Sequence, residues 1–168
     1  MTVTSTTQSP DTALSPHLIA INASGTWRGL LRTDLTASGR GFATAEPLSF
    51  GGDDSAPTPM DYVVGAFLGC ITVIIELVAR ERDIRIDAIE LDAAGTIDVR
   101  GVTGHPGISP SFQSLGATVR LDAGIPADAL EPFVAEVERR CPAFNLFRDA
   151  GVTPQVNWVL NGVERGLL

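Results

Sequence analysis

The sequence predicts an α+β domain, and three patterns predict it. One is a long apolar helical run, PTPMDYVVGAFLGCITVIIELVARERDI, over residues 57–84. A second is an amphipathic helix at 126–140, with Leu130, Phe133, Val134 and Val137 on one face. The third is a set of alternating, turn-bounded segments around these helices without βαβ alternation.

In order along the chain, residues 1–16 are rich in Thr, Ser and Pro and predict a disordered tail. Residues 17–168 then form a single domain with no repeat and no linker. Strands are expected at 17–26, 27–35 and 41–45, the last two flanking the TASGRG turn. Residues 47–59 form a loop holding Gly51-Gly52. The long helix follows, with Pro59 at its start, where a missing N–H costs nothing, and Asp61 in the first turn, where its charge suits the helix dipole. It ends near Arg82. Residues 85–100 alternate as a strand, but the phase slips near Ala88, which predicts a bulge. A loop at 101–110, a strand at 112–121, the second helix, a short helical piece to about Arg148 and a last strand at 155–160 complete the order.

The chain has 168 residues, 44% of them hydrophobic, enough for one well-packed core. Its net charge of −8 argues against nucleic acid or an anionic membrane as partner. All 12 basic residues are arginine. Two cysteines and no basic-then-apolar leader predict a reducing, cytoplasmic setting. Residues 62–79 approach the length of a membrane span, yet Glu76 interrupts them and Asp61, Arg80, Glu81 and Arg82 crowd the ends, so a buried core helix is expected. Glu76 itself is expected to meet an arginine or a partner subunit. A helix apolar nearly all round must be covered on all sides, which one chain of this size struggles to do, so a second subunit is expected.

The chemistry centres on Cys70, within the long helix, and Cys141, which opens CPAF directly after the second helix. Two cysteines on two helices form a redox pair if the fold brings them together, by thiolate attack, sulfenic acid and disulfide. Otherwise they are small buried hydrophobes. His17 and His105 and the two cysteines lack any metal-ligand spacing, so no metal and no cofactor is expected. GGDDS has neither phosphate-loop nor dinucleotide form, and there is no G-x-S-x-G elbow.

The stretches EPLSFGGDDSAPTPMDYVVGAFLGCITV, RGVTGHPGISPSFQSLGATVRLDA, ERRCPAFNLF and QVNWVL, within roughly 32–160, resemble the OsmC/Ohr family (osmotically inducible protein C and organic hydroperoxide resistance proteins), and its broad OsmC-like branch in particular. The resemblance implies an intertwined homodimer in which antiparallel sheets wrap two central helices and the active sites lie at the subunit boundary. It implies Cys70 as the peroxidatic and Cys141 as the resolving cysteine, with an external dithiol, a small molecule or a lipoyl- or thioredoxin-like protein, as reductant. It also places an activating arginine in the N-terminal hairpin: Arg32 is the best match and Arg28 the second. A cation from elsewhere is needed, because Cys70 lies about two and a half turns beyond Asp61, too deep for its own helix dipole. Asp61 is the carboxylate expected to hold that guanidinium in a fixed fork. The peroxidase branches carry glutamate directly after the proline; here Met60 intervenes and the acid is one methylene shorter.

Val63, Phe67, Ile71 and Phe144, with Ile74 and Phe147, are expected to line an apolar pocket that suits an alkyl or fatty-acid hydroperoxide. The expected function is a thiol-dependent peroxidase reducing organic hydroperoxides to alcohols. The alternative is a non-catalytic protein of the same fold holding a hydrophobic small molecule at the dimer interface.

Overall fold

A computed structural model describes residues 15–165. Of the expected tail, residues 1–14 lie outside them. The chain forms two compact units, Met1–Pro57 and Thr58–Leu168.

The first unit is an antiparallel meander of β1 (Ala23–Gly29), β2 (Arg32–Ala37) and β3 (Arg40–Thr44). The Ser38-Gly39 turn between β2 and β3 has both residues at positive φ, 50° and 74°, as a two-residue hairpin turn requires. The strand expected over 27–35 is in fact two strands. Leu30 and Leu31, at φ 46° and 59°, reverse the chain between Gly29 and Arg32. Leucine carries no turn signature, and each such residue in left-handed backbone costs about 1–2 kcal/mol, so local propensity gave no warning. The expected strand at 17–26 is also shorter, with residues 17–22 outside any strand.

Strand alternation puts Trp27, Leu35 and Phe42 on one face of this sheet and Arg28, Arg32 and Asp34 on the other. The Gly-Gly loop then closes tightly. Gly52 and Asp54 donate backbone N–H bonds to Pro47 and Glu46 carbonyls at 3.2 and 3.1 Å. A Cβ on Gly52 would lie 1.8 Å from the Glu46 carbonyl oxygen, so only glycine fits there.

The second unit begins with α1 (Pro59–Glu81), started by a full capping box. The Asp61 N–H donates to Thr58 Oγ1 at 3.1 Å, while the Asp61 carboxylate accepts from Thr58 N at 2.8 Å and Oγ1 at 2.7 Å. Next come β4 (Ile86–Ile97), a single-turn α2 (Val99–Val102) that replaces the end of the expected strand and the start of the expected loop, β5 (Phe112–Ala123), α3 (Leu130–Arg140), α4 (Pro142–Asp149), β6 (Gln155–Leu160) and β7 (Val163–Arg165). The sheet order is β4-β5-β6-β7. A register shift between Ile86 and Ala88 is the bulge that the phase slip predicts.

Two features correct the sequence reading. β5 and β6 pair in parallel, so α3 and α4 form a crossover and the sheet is mixed rather than wholly antiparallel. β7 is an added strand, turned by Asn161-Gly162 at φ 51° and 74°. Asn-Gly beside an apolar strand is a strong hairpin signal, and it was present in the sequence.

One face of α1 packs Phe67, Ile71, Ile75 and Val78 against Val119 and Leu121 of β5 and Phe133 and Val137 of α3 in a continuous core. The opposite face, with Gly65, Gly69, Val73 and Leu77, is exposed. By length and composition alone α1 could cross a membrane, but its apolar core face is covered by sheet and helices. Glu76 meets Arg80 at 3.7 Å in an exposed pair one turn apart.

Candidate functional site

Cys141 occupies a corner that the sequence builds locally. Pro142 is the first residue of α4, and a residue before proline is held out of helical backbone. Cys141 accordingly has φ −74° and ψ 112°, ending α3 and starting α4 at one residue. Its N–H still donates to the Val137 carbonyl at 3.0 Å, and its sulfur accepts the Phe144 N–H at 3.5 Å as the N-cap of α4. The Asn145 amide group stitches the corner by donating to the Arg139 and Cys141 carbonyls at 3.0 and 2.9 Å.

This corner is fixed to α1. Arg140 grips Glu81 through two N–H bonds, at 2.6 and 2.9 Å, at the end of α1. Arg82 donates to the Pro132 carbonyl at 3.2 Å and lies over the Phe133 ring at 5.7 Å. Phe67 meets Phe147 of α4 edge-on, with centroids 6.0 Å apart. These contacts bring the two sulfurs together: Cys141 Sγ–H donates to Cys70 Sγ at 3.5 Å, and both cysteines are free thiols.

The two thiols differ in environment. Cys70 is half-buried, whereas Cys141 is fully buried. Burial pushes the Cys141 thiol up to about 11; the Phe144 N–H works against this, and the hydrogen bond to Cys70 adds to it. At neutral pH Cys141 is therefore a protonated donor, and Cys70 is the sulfur a small oxidant can reach. At 3.5 Å the two sulfurs are in contact, and a disulfide would shorten this to about 2.05 Å.

The remaining sequence-predicted residues fall as follows. Phe67 and Ile71 are fully buried and Phe144 is 5% exposed, all within the core. Of the four expected lining residues only Val63 keeps appreciable surface. Asp61 has its carboxylate engaged by Thr58, a local role that a plain first-turn acid would share.

Arg32, in the first unit, donates from Nε and Nη2 to one oxygen of Asp34, at 3.2 and 3.0 Å, and from Nη1 to Ser55 Oγ. Ser55 is itself held by Asp53, to whose Oδ1 it donates from N at 3.1 Å and from Oγ at 2.6 Å. Arg28 Nε donates to the other Asp34 oxygen at 2.8 Å. These two arginines hold the Asp34 carboxyl below its ordinary value, and Ser55 does the same to Asp53. Sequence reasoning missed Asp34 and Ser55. The alternation Arg32-Thr33-Asp34 in a strand was the available signal, because it puts the two charges on one face.

Comparison with known proteins agrees with this architecture. An OsmC-like protein from Mycoplasma pneumoniae superimposes with a TM-score of 0.72 at 14% identity, covering 84% of this chain and 97% of that one. The organic hydroperoxide resistance protein OsmC from Legionella pneumophila gives 0.60 at 18%, covering 85% and 97%. A putative organic hydroperoxide resistance protein from Vibrio cholerae, with captopril bound in one of its active sites, gives 0.60 at 18%, covering 90% and 99%. At such identities the likeness is one of fold. No curated protein matches the sequence. The family model for OsmC-like proteins matches residues 52–157, most of the chain and both cysteines, and this protein belongs to the OsmC-like family.

Proposed function

We propose that this protein is a thiol-dependent peroxidase that reduces organic hydroperoxides to alcohols. The observation that carries the reading is the meeting of an accessible Cys70 and a buried, protonated Cys141 at 3.5 Å. The Cys70 thiolate attacks the terminal peroxide oxygen, the O–O bond breaks, and the alkoxide takes a proton and leaves as ROH. Cys70 is then a sulfenic acid. Cys141 sulfur attacks it, its proton leaves with the hydroxyl as water, and the Cys70–Cys141 disulfide remains. An external dithiol, a small molecule or a lipoyl- or thioredoxin-like protein, reduces it. The several structures of organic hydroperoxide resistance proteins sharing this fold support the assignment.

Arg32 is the residue proposed to favour the Cys70 thiolate. Two anchors, Asp34 and Ser55, hold it, against one for Arg28, and its side chain is 29% exposed against 55%. Val63, with Phe67, Ile71 and Phe144 behind it, supplies an apolar wall suited to an alkyl chain. Steady-state assays with dihydrolipoamide should show cumene hydroperoxide consumed at least about tenfold faster than hydrogen peroxide, a ratio within the reach of apolar contacts. Protein-independent rates for both would contradict the assignment.

The engagement of Asp61 by Thr58 favours a second reading, a non-catalytic protein holding a hydrophobic molecule at a subunit interface. It predicts ligand retention without turnover in the same assay.

The exposed apolar face of α1, with Val73 at 55% and Leu77 at 37% exposure, supports a homodimer. A groove of about 550 Å³ beside it, lined by Thr72, Glu76, Ile84 and Ile86, offers a seat for a second copy. Sedimentation should give a dimer at micromolar concentration; a stable, folded monomer would contradict this. A cytoplasmic setting is part of the same proposal, on the low cysteine count of the sequence, and cell fractionation into an oxidising compartment would overturn that placement.

A further inference from the structure

We propose that Asn145 is the positioning residue for Cys141, holding its sulfur where it meets Cys70 and so setting how readily the pair closes to a disulfide. The inference deepens the peroxidase reading and takes from it the order of the two cysteines; its geometry lies wholly within the second unit. α3 is tied to the end of α1 by Arg140 on Glu81, and α4 meets α1 through Phe147 on Phe67. Between these ties Cys141 is a one-residue hinge, since it ends α3 and starts α4 in extended backbone. Both N–H groups of the Asn145 amide are spent across that hinge, on the Arg139 and Cys141 carbonyls at 3.0 and 2.9 Å. Arg139 lies in the last turn of α3, where carbonyls lack intrahelical partners. The Asn145 backbone N–H also donates to the Cys141 carbonyl, at 3.0 Å. Among the described residues, no other side chain of α4 hydrogen-bonds back to α3. Asn145 Oδ1 is buried and accepts no hydrogen bond from these residues. Turning the amide over would set that oxygen against two carbonyls. A buried oxygen without a partner costs stability, which offsets part of what the two N–H bonds contribute. Stability alone is therefore a weak reason for asparagine at this position.

A positioning role and a merely structural one predict different losses. Once Cys70 is a sulfenic acid it has two fates. Cys141 sulfur attacks it and the hydroxyl leaves as water, or a second hydroperoxide oxidises it to the sulfinic acid and leaves as a second alcohol. A held Cys141 raises the effective concentration of the attacking sulfur. That favours the first fate and, at equilibrium, the disulfide over the dithiol. If Asn145 only stabilised the fold, its removal would lower the melting temperature and leave both ratios alone. The test compares Asn145→Ala and Asn145→Asp with the unsubstituted protein, each as the full chain. Alanine is the strongest helix former, so α4 is kept. Aspartate keeps the shape and, once ionised, removes both donors. Equilibration with oxidised and reduced dithiothreitol gives the potential of the couple without any peroxide. Intact mass after excess cumene hydroperoxide gives the share of sulfinic acid. Far-UV circular dichroism confirms folding, and its thermal melt records stability.

The proposal expects each variant to shift the equilibrium toward the dithiol by about tenfold, a rise of about 30 mV in the potential of this two-electron couple. It expects the share of sulfinic acid to rise with it. A potential that both variants leave unmoved overturns the positioning role, whatever the melting temperature does, and leaves the peroxidase reading intact. In a protein that consumes cumene hydroperoxide, an unmoved share of sulfinic acid overturns it too. A potential that rises in a protein that consumes no peroxide keeps the positioning role and overturns the peroxidase reading.

Discussion

Replacing Cys70 by serine is expected to reduce hydroperoxide consumption to the uncatalysed background, because the only accessible sulfur of the pair is gone. Cys141→Ser is expected to behave differently. Cys70 can still attack, so one equivalent of peroxide is consumed, but no disulfide can form. Cys70 then remains a sulfenic acid or advances to the sulfinic acid, which a dithiol does not reduce. The comparison is clean because serine is a good N-cap. Its hydroxyl can replace the Cys141 sulfur as acceptor for the Phe144 N–H, so α4 keeps its start. Intact-mass spectrometry after one equivalent of cumene hydroperoxide reads the result. Identical oxidation states in the two variants would reject the assigned order of the cysteines.

Arg32→Met is expected to slow peroxide reduction by Cys70 at least roughly tenfold, about 1.4 kcal/mol of barrier. An unperturbed thiol near 8.5 is only a few per cent thiolate at neutral pH, and arginine favours the thiolate without itself titrating. Methionine keeps the length and apolar stem while removing the charge. Asp61→Asn should affect this step less. Its main effect should be on stability, through the Thr58 capping box, where loss of a cap costs about 1 kcal/mol. Single-turnover reduction of cumene hydroperoxide measures the first effect. A rate that falls for Arg28→Met and not for Arg32→Met would transfer the role to Arg28.

The parts of this molecule that were legible in the sequence are those set by local chemistry. Pro59 with Asp61 marks a helix start, Leu130, Phe133, Val134 and Val137 mark a buried face, and the phase slip at Ala88 marks a bulge. Cys-Pro at 141–142 implied a break in the chain, and that break is what turns the thiol toward α1. The meeting of Cys70 with Cys141, 71 positions apart, was open to sequence reasoning only through family resemblance, because no local rule specifies a contact at that separation.

What escaped the sequence was decided by tertiary context or by weak signals. The Leu30-Leu31 turn runs against residue preference. The parallel pairing of β5 with β6 depends on how the α3–α4 crossover returns. The grip of Asp34 on two arginines depends on that same unexpected turn, which brings Arg28 of β1 alongside Asp34 of β2. Phe67 and Ile71, expected to line an apolar pocket, are fully buried in the core.

The central claim, that Cys70 and Cys141 form one redox couple driven by an organic hydroperoxide, is tested most directly by counting thiols. The reduced protein should show two free thiols per chain before treatment and none after one equivalent of cumene hydroperoxide, with one equivalent of cumyl alcohol formed and both thiols recovered with dithiothreitol. Two thiols persisting unchanged beside unreacted peroxide would contradict the account and leave Cys70 as an ordinary packed residue of α1.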